Sequence, residues 1–473
     1  MKKHILNIIK LLTILTSIFL TMYFIKTIND LNILPNKYYY PLVIGIILLN
    51  IISIILINIK KIYTKIISFI IYILIIIITL IGIRYGKQTI EFIKINFDNK
   101  TESTIYNVIV LNKSNYQDII ELDSKNIGYF KTEENEYLEK LQEEINPILI
   151  EYETPFNLYD ELLNKNIDAI IINEAYLDIL EEYIDMDIRV IYSFKINQEK
   201  KETNNELTEL KNVNILISGS DSRSGIISSK SRSDVNMIMT INVETKTILL
   251  TSIPRDYYVQ LHGTTGTKDK LTHSGIYGIE MTKETIEDLF NIEIDYTIKV
   301  GFKSVINMVD LIGGIDIESD LDFISHCRDG GAERTHVKKG MNHFTGAQAL
   351  SYARERYAYI EGDRHRILNQ QQVLEAVMNK VFSDKSLLLK YDELLSAFSS
   401  LYITDIPSEF IQEFIKKQIN DMSKWNVIKQ SVNGTGSSMQ TYSMPGRKLY
   451  VMIPNMTTVN KATEKIKEVK NNN

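Results

Sequence analysis

The sequence predicts an α/β protein in three parts: three N-terminal transmembrane helices, a small α/β accessory domain, and a larger α/β/α domain with a central mixed sheet. Three observations predict this. Apolar runs near the start are each long enough to cross a bilayer; short apolar strands then alternate with amphipathic helices; and a second α/β region follows a polar linker. The boundaries read as a membrane anchor over 1–90, an accessory domain over 100–196, a linker over 197–211, the larger domain over 212–456, and a C-terminal helix and tail over 457–473.

The apolar runs are Ile8–Ile25, Leu42–Ile59 and Ile67–Ile83, each near the roughly 20 residues a bilayer requires. Two further spans and the lack of a small-residue cleavage site argue against a cleaved signal peptide in the first run. Tyr38-Tyr39-Tyr40 fits an interfacial aromatic belt. Lys2 and Lys3 precede the first span, and Lys60, Lys61 and Lys65 fill the second loop, whereas the first loop holds Lys26 and Lys37. The positive-inside rule then puts the N-terminus in the cytoplasm and everything after Arg84 outside, although Arg84 and Lys87 follow the third span on that outer side.

In the accessory region the expected strands are Asn107–Leu111, Ile127–Phe130, Ile148–Tyr152, Ala169–Ile172 and Arg189–Phe194. The expected helices are Glu133–Ile145, Phe156–Asn164 and Ala175–Tyr183, which implies a mainly parallel sheet covered by helices. No catalytic constellation is evident here. The glutamates Glu133, Glu134, Glu136, Glu143 and Glu144 read as a solvated helix face, and a spacer or docking role is favoured over ligand binding.

The larger domain opens with strand-like runs Val213–Ser218, Val235–Val243 and Thr247–Ile253, with Glu244-Thr245-Lys246 as a hairpin turn. Helices near Lys283–Asn291, Phe302–Ile312, Thr345–Ala353 and Arg364–Val381 follow, with a strand at Tyr296–Val300 and Gly313-Gly314 ending the second helix. The stretch Trp425–Pro454 reads as two strands around Gly434-Thr435-Gly436, and Thr457–Lys470 as a helix.

Composition excludes some functions. A net charge of −6 is unlike a nucleic-acid binder, and no Walker-A loop is present. The single cysteine, Cys327, rules out an internal disulfide and reads as a lone loop residue.

Chemistry gathers at the strand ends. The segments are Gly219-Ser220-Asp221-Ser222-Arg223, Ser231-Arg232-Ser233-Asp234 and Ser252-Ile253-Pro254-Arg255-Asp256. Later come Arg354-Glu355-Arg356, Gly362-Asp363-Arg364-His365-Arg366 and Gln370-Gln371-Gln372. Arginine holds phosphate oxygens through paired hydrogen bonds, and aspartate can hold the Mg²⁺ that phosphates carry. If the strands pair, their polar ends form a rim suited to a diphosphate. Asp221 and Asp234 are the metal candidates. A cap or turn role is the ordinary reading of each aspartate alone, and a surface salt bridge that of each arginine.

In this order the segments resemble the LytR-CpsA-Psr family, most closely over Asn212–Val381 and more weakly to about Met456. The resemblance implies a membrane-anchored phosphotransferase that moves a glycopolymer from a polyprenyl-pyrophosphate carrier to peptidoglycan. It implies Mg²⁺ (Mn²⁺ as a substitute) on Asp221 and Asp234, and a phosphate clamp of Arg232, Arg255, Arg354, Arg356 and Arg366, with Gln370 beside the pyrophosphate. The expected catalytic set is Asp234, Arg255, Asp256, Arg354 and Arg356. Asp234 or Asp256 would act as general base, though Asp256 could instead orient Arg255. Asp363 would cap its helix and could orient Arg232 or Arg366, and Arg223 has the weakest case. A serine nucleophile is a rival without a Gly-x-Ser-x-Gly elbow. Val305, Val309, Val373 and Val377 suit either a lipid tunnel or ordinary core.

Three spans with an accessory domain, and the aromatic stretch Tyr357-Ala358-Tyr359-Ile360-Glu361, resemble the capsule-type subgroup. Capsular polysaccharide is therefore the expected polymer, and capsule-synthesis proteins are possible partners. Wall teichoic acid, a pyrophosphatase and a non-catalytic scaffold or regulator are the alternatives. Asn369, where many members have arginine, removes one phosphate contact.

Overall fold

The computed structural model describes residues 2–97, 101–130, 135–184, 186–199, 210–220, 227–326, 333–360, 363–383, 393, 402–421 and 424–472. The chain divides into two compact units, one holding 1–99, 205–210 and 406–424, the other the rest.

The first unit is a bundle of α1 (Lys2–Leu31), α2 (Asn36–Asn58) and α3 (Ile62–Phe97). All three are long and apolar enough to cross a membrane. α3 runs for 36 residues, about 54 Å at 1.5 Å per residue, well past the expected end of its span at Ile83. Small residues bring α3 close to α1. A Cβ on Gly82 would lie 2.3 Å from the Phe24 ring, and one on Gly86 would lie 2.7 Å from Thr27 Cγ2. Asn50 of α2 is buried but satisfied: Ser17 Oγ donates to its Oδ1 at 2.7 Å, and its Nδ2 donates to Thr21 Oγ1 at 3.0 Å. The same unit contains an amphipathic helix, Ser408–Asp421, that the sequence reading did not anticipate. Its Lys416 Nζ donates to Asn32 Oδ1 at 3.3 Å.

The accessory part of the second unit has β1 (Thr101–Leu111), β2 (Asn126–Phe130), β3 (Ile148–Tyr152), β4 (Ala169–Asn173) and β5 (Ile188–Glu199). Helices α4 (Glu136–Glu144), α5 (Pro155–Leu163) and α6 (Glu174–Tyr183) connect them. The strand order is β3-β2-β4-β1-β5. β2 is parallel to β3 and β4, while β1 is antiparallel to β4 and β5. Four strands thus share one direction and β1 opposes them, so the sheet is mixed. No helical crossover precedes β1 to dictate its direction. Alternation buries Val108, Ala169 and Ile171 against α4, and Ile109, Ile170 and Ile172 against α5 and α6. β5 runs to Glu199, so the expected linker start at 197 is strand instead, because Ser103–Thr101 pair with 197–199.

The larger part is built on β6 (Val213–Ser220), β7 (Val235–Asn242), β8 (Thr247–Ile253), the short pair β9 (Tyr258–Val259) and β10 (Asp269–Lys270), and β11 (Tyr296–Gly301). Between β10 and β11 lie the one-turn helix α7 (Leu271–Ser274) and α8 (Ile279–Phe290). Then come α9 (Phe302–Leu311), β12 (Ile315–Ser319), β13 (Phe323–Ile324), β14 (His336–Val337), β15 (Gly340–Phe344), α10 (Gly346–Arg354), α11 (Asp363–Ser383) and β16 (Tyr402–Thr404). The helix Ser408–Asp421 of the first unit is α12. β17 (Asn426–Ser431), β18 (Gly434–Gln440), β19 (Lys448–Pro454) and α13 (Met456–Asn471) complete the chain.

The main sheet has the order β16-β11-β6-β7-β8-β17. Leu216, Ile238 and Leu249 pack on one face with Ile286 and Phe290 of α8 and Val459 and Ile466 of α13. Ile217, Met237 and Leu250 point the other way, with Leu374 of α11 against them. This confirms helices on both faces. Val309 and Val373 are buried in ordinary core beside Phe344 and Tyr352, with Val377 against them; the Val305 side chain lies outside the described residues. The tail corrects the sequence reading. It has three strands, not two, and Gly434-Thr435-Gly436 lies inside β18. A Cβ on Gly434 would sit 2.3 Å from Ile453 O, so glycine here permits close strand approach and does not mark a turn.

Candidate functional site

Antiparallel pairing of β6, β7 and β8 brings the end of β6, the start of β7 and the end of β8 to one rim. Asp234 N donates to Gly219 O at 2.8 Å, fixing the carboxylate at the mouth of β7. Ser233 Oγ reaches Ser218 Oγ and Asn236 Oδ1, both at 2.7 Å, so these serines have structural bonds. Beyond β8, Thr272 N donates to Arg255 O at 2.8 Å and Leu271 N to Tyr257 O at 2.8 Å. This lays α7 alongside the Arg255-Asp256 segment.

Asp234 is the centre of the charge. Its side chain is 8% exposed, and those of Arg232 and Arg255 are 13% and 12% exposed. Arg255 Nη1 donates to Asp234 Oδ1 at 2.7 Å, Arg232 Nη2 lies 3.5 Å from Oδ2, and Thr272 Oγ1 reaches Oδ1 at 3.4 Å. Oδ2 is buried and accepts no hydrogen bond. Burial alone would raise the pKa of this carboxyl, but Arg232, Arg255 and, to a smaller extent, Arg366 outweigh it and hold the group well below the usual carboxylate range. Arg232, Arg255 and Arg366, from three separate segments, thus all act on Asp234.

Asp256 answers differently from the expectation that it orients Arg255. Arg255 Nε is 3.9 Å away, whereas Lys270 Nζ is 2.6 Å from Asp256 Oδ1. Both members of this pair are buried, at 5% and 2% side-chain exposure. Lys270 was not foreseen, and neither was Lys299, whose buried Nζ donates to Ser229 O at 2.7 Å. Asp269 and His273 form a second buried pair at 2.7 Å, and Asp269 Oδ2 accepts from Ser443 N at 2.8 Å. The available signal was the run Asp269-Lys270-Leu271-Thr272-His273, charged residues threaded through an apolar turn.

Arg354 ends α10, which Thr345 and Gln348 start with a reciprocal capping box. Asn369 Nδ2 donates to Tyr352 O at 3.0 Å, holding the end of α10 against α11, the helix that carries Arg366. Asn369 therefore joins two helices. Glu355 is tied to the backbone: Oε1 accepts from Arg356, Tyr357 and Ala358 N at 2.7–3.0 Å, and Oε2 from His326 N at 2.6 Å. Burial would raise this carboxyl too, but those amides and His326 lower it. Arg356 is turned to Tyr357, with Nη2 2.7 Å from the hydroxyl and the guanidinium 4.8 Å from the ring centre. Gln370 is half-buried, while Gln371 is buried and donates to Gln430 O at 3.1 Å. Asp221, Arg223, Cys327 and the side chains of Asp363 and Arg364 lie outside the described residues. Among the described residues no group of three or more His, Cys, Asp or Glu is arranged to hold a metal ion.

The profile of the LytR_cpsA_psr family matches residues 182–468. The chain belongs to this family. The match is wider than the motifs alone suggested and begins ahead of β5, at the end of α6. Among relatives, the polyisoprenyl-teichoic acid–peptidoglycan teichoic acid transferase TagU of Bacillus anthracis is 33% identical over 216 residues, 46% of this chain and 67% of that protein. The protein of the same description from Bacillus licheniformis is 31% identical over 226 residues, 48% of this chain and 69% of that one. Of solved structures, B. subtilis TagV shares 28% identity, covers 56% of this chain and 100% of its own, and has a TM-score of 0.46. TagT bound to LI-WTA shares 22% identity over 55% of this chain and 90% of its own, with a TM-score of 0.40.

Proposed function

We propose that this family member is a membrane-anchored transferase that moves a glycopolymer-bearing phosphate from a polyprenyl pyrophosphate to peptidoglycan. The observation that carries the reading is Asp234, buried and ionised between Arg232 and Arg255 and within the field of Arg366. A peptidoglycan hydroxyl, most plausibly the muramic acid 6-hydroxyl, would attack the sugar-side phosphorus. The P–O–P bond breaks, polyprenyl phosphate leaves, and the hydroxyl proton passes to a base. Arginines fixed at a water-poor rim stabilise the charge that develops on the departing phosphate.

Mg²⁺ fits this donor set. Asp234 Oδ2 is an ionised oxygen without a hydrogen bond, and Mg²⁺ commonly takes one or two carboxylates with phosphate oxygens and water. Asp234 would hold the ion, with Asp221 as second donor, and the ion would neutralise phosphate charge. A carboxylate held so acidic is a weak base. Asp256 is then the residue to test for proton transfer.

The relatives' names favour teichoic acid as the polymer. The three spans and the accessory domain are the grounds for capsular polysaccharide, and for a catalytic part outside the cell. The test is full-length protein with Mg²⁺, a peptidoglycan oligomer and either a teichoic-acid or a capsular-type prenyl-pyrophosphate precursor, with products read by mass spectrometry. A linked phosphodiester product supports the proposal and names the polymer. Cleavage equal with and without acceptor would make the protein a pyrophosphatase, and binding without turnover would make it a scaffold.

A further inference from the structure

The accessory domain touches the loop that carries Arg232. Ser103 O on β1 accepts from Ser229 N at 2.9 Å, Ser229 Oγ at 3.1 Å and Ser228 Oγ at 3.2 Å. The neighbouring Thr104 Oγ1 meets Ser229 Oγ at 3.3 Å. From the other side, Ser231 N donates to Gly275 O at 3.1 Å, and a Cβ on Gly275 would lie 2.3 Å from Ser231 O. The next residue, Ile276, is buried in one cluster with Leu177 and Leu180 of α6. The segment before Arg232 is therefore held between β1 and a turn that rests on α6.

That same helix buries two carboxylates four residues apart, Glu174 at 3% and Asp178 at 8% exposure. We propose that the accessory domain is one wall of the pyrophosphate site, in which Asp178 is a positioning residue for Arg232 and β1 holds the loop from which Arg232 projects. The electrostatics agree. Burial raises Asp178 well above the carboxylate range, Arg232 is the foremost group opposing this, and Glu174 and Asp234 add to it. Asp178 thus lies within the field of both members of the Arg232–Asp234 pair. The inference rests on the phosphate-site reading given above and deepens it: the carrier's diphosphate would be gripped by an arginine whose aim is set from outside the catalytic fold.

The test uses full-length protein in lipid nanodiscs. Affinity for inorganic pyrophosphate with Mg²⁺ is measured alongside kcat and KM for a prenyl-pyrophosphate saccharide. Asp178→Ala is expected to weaken pyrophosphate binding and raise KM by about tenfold, with kcat changed less than about twofold, as misaimed substrate contacts do. Asp178→Asn keeps the size and polarity of the side chain and should retain wild-type KM. Thr104→Val, a near-isosteric change on β1, should raise KM by about threefold with an unaltered melting temperature. The inference is overturned if Asp178→Ala and Thr104→Val both bind pyrophosphate like wild type, or if binding falls only in step with melting temperature and Asp178→Asn does not retain it. Failure of the underlying reading looks different: Arg232→Ala and Arg255→Ala would then leave pyrophosphate binding intact.

Discussion

The central strand of the accessory sheet, β4, ends in Asn173, a neutral side chain that accepts from Ala175 N at 2.7 Å and caps α6. The catalytic sheet brings Asp234, Arg255 and Asp256 to its rim, all largely buried and bonded to other charges. Both sheets fill their faces with alternating aliphatic residues. The difference lies at the strand ends, and it separates two uses of a polar residue. A neutral cap satisfies the backbone at little cost, whereas gathered charges carry a desolvation cost that folding alone gives no reason to bear. Where the second pattern occurs, a ligand of complementary charge is the physical reason for it.

That contrast can be broken by experiment. Asp256→Ala leaves Lys270 buried without its carboxylate and should cost about 3–5 kcal/mol, seen as an earlier calorimetric transition; an unchanged transition would mean the charges are cheap and the contrast is empty. Arg255→Ala should lower polymer transfer per folded molecule by roughly 10²–10³ and, because it takes a partner from buried Asp234, should also lower the melting temperature; a drop in transfer per folded molecule under tenfold would remove Arg255 from the chemistry. In the accessory sheet only stability should change. Leu141 is fully buried against the β1–β4 face, so Leu141→Ala should cost about 2–5 kcal/mol with kcat per folded molecule unchanged. The smallest effect concerns pH. The native state holds the pKa of Asp234 below its unfolded value, so its stabilisation is complete above roughly pH 5 and is lost as pH falls through the depressed native value. The melting-temperature difference between wild type and Asp234→Asn should therefore stay flat from about pH 5 to 8 and shrink only in stronger acid.

The accessory strands β2, β3 and β4 were legible almost to the residue because each is a short apolar run bounded by polar turns, as in Ile148–Tyr152, whereas β1 starts at Thr101, ahead of the expected Asn107, and β5 runs to Glu199, past the expected Phe194. Direction was less legible. The opposed course of β1 depends on which strands it lies between, and periodicity does not record that. At the rim, Arg232, Asp234 and Arg255 could be picked out because arginine and aspartate recur at strand ends, and Arg366 because its charged segment opens a helix. Lys270 and Lys299 could not, since a lysine in sequence looks solvated until the fold closes over it. Gly434 misled for a related reason: a glycine needed for strand proximity has the same letter as one needed for a turn. The helix Ser408–Asp421 was overlooked although its Phe410, Phe414 and Glu413, Lys417 alternate at helical spacing.

The Asp256–Lys270 contact also constrains how this lineage can vary. Either residue mutating first strands the other's charge in a dry interior, while exchanging both for apolar neighbours is close to neutral. Drift would have to cross that gap in one step, so the two positions should be inherited together, retained or lost as a unit, even in descendants whose chemistry no longer needs them.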